Sequence, residues 1–171
     1  MMIELGKFQV ESGKLVVSDP CFDLNDVPVM GVLENARNGV WNGLVEKTEL
    51  DDWGEVCSKL FAHHNNNSID DLQWVRCDFI IGVDSGQAGI FDIVKYRLSD
   101  SETENQDPDA DSDWYLACCD ITESNDEAGV IDGGVVSRSG MGDGGYQAFL
   151  AKDEREQIIG VKIVFIREER F

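Results

Sequence analysis

The chain has 171 residues, 42% of them hydrophobic, enough to bury one ordinary core, so a single domain spanning 1–171 is expected. Thirty-four acidic residues against 14 basic ones give a formal net charge of −20, where small soluble domains carry magnitudes of about 2–8. Such a field repels nucleic acid and anionic membranes, which excludes direct nucleic-acid binding through charge, and it attracts cations and basic proteins.

No run approaches the roughly 20 apolar residues of a membrane helix. The opening stretch MMIELGKFQVESGK has no basic segment followed by an apolar one, so a cytoplasmic protein is expected. Five cysteines, at 21, 57, 77, 118 and 119, form no CxxC. In that compartment they are expected to be reduced, and a structural zinc site is not expected.

Phe8–Val10 and Leu15–Ser18 are β-like runs around a turn in which Gly13 can take positive φ, which predicts an opening hairpin. It ends at Ser18-Asp19-Pro20-Cys21, where proline stops a strand ladder and leaves Asp19 and Cys21 on a turn. Val29–Leu33 and Val40–Lys47 flank Asn38-Gly39, the dipeptide best suited to a type I′ hairpin turn. Val56–His63 fits a strand or a helix by spacing, and its strand-like neighbours favour a strand. Trp74–Val83, rich in aromatic and β-branched residues, predicts a strand. It delivers the chain into Gly82–Asp92, GVDSGQAGIFD, which sets Asp84, Ser85, Gln87 and Asp92 close together among three glycines.

Ile90–Leu98 has Phe91, Val94 and Leu98 at 3–4 spacing, which predicts a short helix begun near Asp92. Asp100–Asp113 holds seven acids and predicts a flexible, charge-extended loop. Its DPDADSD run imitates a calcium loop, but Ser112 stands where glycine is required and Cys118 where a bidentate glutamate is required. Trp114–Ile121 predicts a short buried helix contributing Trp114, Leu116 and Cys118 or Cys119. Val130–Val136, Tyr146–Ala151 and Ile158–Ile166 are β-like, the last two forming a hairpin. About nine strands with one or two short helices predict a mainly β fold, an antiparallel sandwich or barrel-like domain.

A second glycine-rich stretch, Ser137–Tyr146 (SRSGMGDGGY), contains GxGxxG but runs into YQAFLAKDE, which alternates like a strand. A dinucleotide fingerprint needs a helix there to receive the pyrophosphate, so the glycines are expected to serve a tight turn. Asp19, Asp84 and Asp143 each sit just beyond a predicted strand. They serve either as turn caps bonded to the backbone or as carboxylates that converge on a divalent cation, with Asp84 and Asp143 the candidate metal ligands. Cys21 is the one cysteine in a turn beside acids. The only histidines are His63 and His64, and neighbouring acids raise a thiol pKa, which works against a thiolate nucleophile.

SGKLVVSDPC, GVDSGQAGIFD and VVSRSGMGDGGY, in this order and ending in a β hairpin, resemble an uncharacterised bacterial and phage family, a domain of unknown function. The resemblance implies a compact, mostly β cytosolic domain whose motif loops form the site, and it implies no activity. The candidate binding residues are Asp19, Cys21, Asp84, Ser85, Gln87, Asp92, Asp143 and Tyr146. Three functions stay open. The first is a non-enzymatic acidic protein that binds a basic protein partner, sharpened by the phage link to an inhibitor of a nucleic-acid-handling or host-defence protein. The second is a small hydrolase using a divalent cation or paired carboxylates, with Tyr146 and Gln87 orienting substrate; the third is a structural or assembly protein. No resident cofactor is expected beyond such a cation.

Overall fold

The computed structural model describes residues 1–24, 29–97 and 113–167. The acidic loop expected at 100–113 lies outside them, apart from Asp113. The described residues form eleven strands: β1 (Met2–Val10), β2 (Lys14–Ser18), β3 (Gly31–Glu34), β4 (Gly39–Leu50), β5 (Gly54–His64), β6 (Val75–Val83), β7 (Gln87–Asp92), β8 (Ala128–Ile131), β9 (Gly134–Arg138), β10 (Gly144–Lys152) and β11 (Ile158–Val164). One α-helix, α1 (Asp113–Thr122), and a single 3-10 turn at Ile69–Asp71 complete the set.

The strands make two antiparallel sheets, in the orders β1-β4-β5-β11-β10-β6 and β3-β2-β7-β9-β8. The fold is a sandwich, mainly β as expected, and not a closed barrel. Alternate residues explain the layering. Trp41, Val45, Leu60, Ile81, Ala148, Val161 and Ile163 of the larger sheet meet Leu15, Val17, Ala88, Ile90 and Val135 of the smaller one in a common core. The intervening residues Val16, Phe91 and Val136 point the other way and are covered by Met30, Tyr96 and the Trp114 and Cys118 side chains of α1. The smaller sheet is therefore buried on both faces at its centre, and β7 is buried along its whole length.

That double coverage corrects the helix predicted from Ile90. With both faces buried, β7 loses the polar alternation of a half-exposed strand, and its apolar residues run into Val94 with a helix-like spacing. The chain instead finishes β7 at Asp92 and makes a single turn, with the Lys95 and Tyr96 N–H groups donating to the Asp92 carbonyl at 3.0 and 3.1 Å.

Two predicted hairpins are also corrected. β1 pairs with β4, Phe8 opposite Trp41, while β2 pairs with β3 and β7. The Gly13 and Asn38-Gly39 turns are thus crossings between sheets, and they run side by side. The Gly13 N–H donates to Asn38 Oδ1 at 2.7 Å, and the Ala36 N–H donates to the Gly13 carbonyl at 2.9 Å. Gly13 takes φ +70° and Gly39 φ +127°, conformations open to glycine. Asn38 serves as a side-chain staple rather than a hairpin residue.

Val56–His63 is a strand as read, within β5. Val130–Val136 is two strands, β8 and β9, joined through Asp132 and Gly133, the latter at φ +79°. The predicted helix over Trp114–Ile121 matches α1 in position. Its buried residues are Trp114, Cys118 and Thr122, four apart, whereas Leu116 is exposed. Trp114, Phe91 and Tyr96 form an edge-to-face trio with centroids 4.9–5.4 Å apart. β10 and β11 form the expected hairpin, and the GxGxxG glycines lead into β10, a strand, as the alternation requires.

Candidate functional site

The three motif loops meet at one end of the sandwich. Asp19 follows β2 and is wholly buried. Its Oδ2 accepts the N–H groups of Asp84 at 2.8 Å and Ser85 at 2.7 Å, and its Oδ1 accepts the Ser85 hydroxyl at 2.6 Å and the Cys21 N–H at 2.8 Å. One carboxylate thus ties SDPC to VDSG, 65 positions away in sequence. The turn it sits on is held from a third direction. Tyr96 donates to the carbonyls of Asp19 and Phe22 at 3.1 and 2.6 Å, and Arg97 donates to that of Pro20 at 2.6 Å.

Ser139 brings in the last loop, its N–H donating to the Gly86 carbonyl at 3.1 Å. The Tyr146 hydroxyl donates back into its own loop, to Gly142 O at 2.6 Å and Ser139 O at 3.0 Å, while its ring packs edge-on against Phe165 at 5.3 Å. Burial pushes the Tyr146 phenol above its ordinary pKa, and the Asp143 charge adds to this. β6 and β10 pair with Val83 opposite Gly144, which sets Asp84 and Asp143 on adjacent strand ends. Both are exposed.

Two of the sequence-derived residues stand apart from the exposed loops. Gln87 is buried beneath α1, its amide nitrogen donating to Cys119 Sγ at 3.4 Å and its oxygen accepting the Thr122 hydroxyl at 3.2 Å; it docks the helix. Asp92 closes the far end of β7, about 17 Å along the strand from Gln87. There it accepts the N–H groups of Glu11 at 2.7 Å, Ser12 at 3.3 Å and Val94 at 3.1 Å, and the Ser12 hydroxyl. It secures the crossing from β1 to β2.

The Cys21 thiol is pushed up to about 12, chiefly by burial and next by the Asp19 charge. At neutral pH it is a thiol, a poor nucleophile. Both histidines sit on β5 at the other end of the molecule. His64 Nε2 bonds the Asn38 carbonyl at 3.0 Å, and His63 Nδ1 lies 3.1 Å from the His64 carbonyl. Neither reaches Cys21 to serve as its base.

Tyr115, Cys119 and Ser139 were missed from sequence. Tyr115 and Cys119 are one helical turn apart on the flank of α1. Tyr115 interacts with Ser85 and Cys119, and burial drives its phenol up to about 12. The signal was available: once Trp114, Cys118 and Thr122 define the docked face, 115 and 119 fall beside it. Among the described residues, no three His, Cys, Asp or Glu side chains are grouped to hold a metal ion. No described helix is long and apolar enough to cross a membrane.

No family model, curated protein or solved structure matches the chain. Fold and site together define an antiparallel β-sandwich whose motif loops are bonded into one end face, with acidic side chains outermost.

Proposed function

We propose that the protein is a non-enzymatic acidic binding protein that engages a basic protein partner through the face built by Asp19–Cys21, Asp84–Gly86 and Ser139–Gly144. The observation that carries this is the division of labour among the carboxylates. Asp19 is buried and engages backbone N–H groups and the Ser85 hydroxyl with both its oxygens. Asp84 and Asp143, held on the loops it organises, face solvent. Fixed loops carrying exposed charge suit recognition, because little side-chain and backbone freedom is left to lose on association. Met141, two residues before Asp143 on the same loop, is exposed and supplies an apolar contact.

A net charge of −20 adds long-range attraction for a basic surface and accelerates encounter. Proteins that handle nucleic acid carry such surfaces, and the resemblance of the three motifs to a bacterial and phage family favours an inhibitor of one of them. The test is retention of partners from bacterial lysate by the immobilised protein and by its Asp84→Asn/Asp143→Asn variant. A basic partner is expected on the wild type, released between about 50 and 500 mM salt as charges are screened, and strongly depleted on the variant. Retention that ignores both salt and the two substitutions would sink the proposal.

A further inference from the structure

We infer that the outer face of the six-stranded sheet carries a second, oppositely charged site: a groove that receives an extended acidic peptide segment of a partner. This rests on none of the loop-face residues. The groove encloses about 700 Å³ and is lined by Lys59, Arg76, Lys162 and Arg167, with Phe149 and Val164 in its floor. Four of the chain's 14 basic residues thus gather in one depression of a protein that is otherwise strongly acidic. Ion pairing of six of the other basic residues makes the concentration sharper. Lys14, Lys47, Lys95, Arg97, Arg138 and Lys152 each lie within 3.7 Å of a carboxylate. In the groove, Lys59 is 3.5 Å from Glu46, while Arg76 and Arg167 pair with no described acid.

The strand register fixes where these charges stand. Arg76 on β6 is opposite Phe149 on β10, which is opposite Lys162 on β11; Lys59 on β5 is opposite Val164, two residues further along β11. Arg76 and Lys162 are therefore two strands apart, about 10 Å at the backbone. The Lys162 ammonium is held 4.8 Å from the Trp74 ring centre and 5.0 Å from that of Phe149, a cation–π arrangement that restrains an otherwise mobile side chain.

The ligand class follows from this layout. One phosphate or carboxylate reaches only part of a charge set spread over about 10 Å, so the occupant is an extended anion. Single-stranded nucleic acid is disfavoured on two counts. It binds such surfaces by stacking bases on open aromatic faces, and here both rings are occupied by Lys162. Its phosphates are also dense enough to meet the full repulsion of a −20 chain. An extended peptide with acids at alternate positions places a carboxylate every 7 Å or so on one face. That spacing suits the lysines and arginines, and Val164 offers apolar contact to the methylene stems.

Fluorescence anisotropy at low salt tests this, using a labelled peptide of about eight residues that alternates glutamate and serine, its glutamine–serine counterpart, and oligo-dT of similar length. The acidic peptide is expected to bind and the glutamine peptide not to. Arg76→Glu and Arg167→Glu, both exposed positions, are each expected to weaken binding at least about tenfold. Asp84→Asn/Asp143→Asn is expected to leave it unchanged. The inference is overturned if the acidic peptide fails to bind, if the Arg76→Glu and Arg167→Glu proteins bind it as well as wild type, or if oligo-dT binds more tightly than the peptide.

Discussion

Asp19 shows how one buried carboxylate can organise a binding face without belonging to it. Removing it leaves the N–H groups of Cys21, Asp84 and Ser85 without their acceptor, and each buried donor so orphaned costs about 1–3 kcal/mol. Asp19→Ala is therefore expected to lower unfolding stability by at least about 3 kcal/mol in urea titrations, whereas Asp143→Ala, at an exposed loop position, is expected to stay within about 0.5 kcal/mol. Equal effects would mean that Asp19 does not hold the loops. From sequence, Asp19, Asp84 and Asp143 look alike, since each follows a strand and stands in a turn. What separates them is burial, and burial of Asp19 is created by loops that meet it from 65 positions away. The shared character of the motif loops raised their convergence as one of two alternatives; neither the choice between these nor the assignment of cap and exposed acid was readable from sequence.

At the scale of elements, most strands were legible, the doubly buried β2 and β5 among them, and the end of β7 was not. β5, β6, β10 and β11 carry the expected alternation or β-branched content, and they were read correctly. β7 was misread at its end because α1 covers the face that would otherwise have been polar. The crossings at Gly13 and Asn38-Gly39 were misread for another reason. Local turn chemistry specifies positive φ, and both a hairpin and a sheet-to-sheet crossing need it; the choice is made by Phe8 packing on Trp41 at 6.5 Å across β1 and β4, a long-range preference. The helix itself depends on one anchor. Trp114 fits between Phe91 and Tyr96, and burying a side chain of this size makes its truncation cost about 3–5 kcal/mol. Trp114→Ala is expected to lose stability in that range. It is also expected to accelerate amide exchange in α1 more than in β4 and β5, which lie in the opposite sheet. Uniform acceleration across both sheets would show that α1 is not a separately anchored element.

For the molecule as a whole, the excess of acid sets the terms on which stability responds to pH and salt. Cys21 and Tyr115 are pushed up to about 12, and Cys57 and Cys77 to about 11, in each case chiefly by burial. Tyr96 is raised by the same cause. Each folded-state pKa lies above its unfolded value, near 9 for the thiols and 10 for the phenols. The folded state therefore holds these protons more tightly, and stability that is intact below pH 9 declines as pH climbs through the window from 9 to 12. Repulsion within a chain of net charge −20 pulls the same way, because lysines lose their charge over the same range. Salt separates the two. Screening with a Debye length near 10 Å at 0.1 M weakens repulsion between exposed charges but does little for the cost of ionising a buried thiol or phenol. Thermal midpoints are thus expected to rise with added salt at pH 7. They are expected to fall between pH 9 and 11 at both low and high salt, with a slope that high salt reduces but does not abolish. A midpoint independent of pH up to 11 at high salt would assign the whole alkaline effect to surface repulsion and remove the buried thiols and phenols from it.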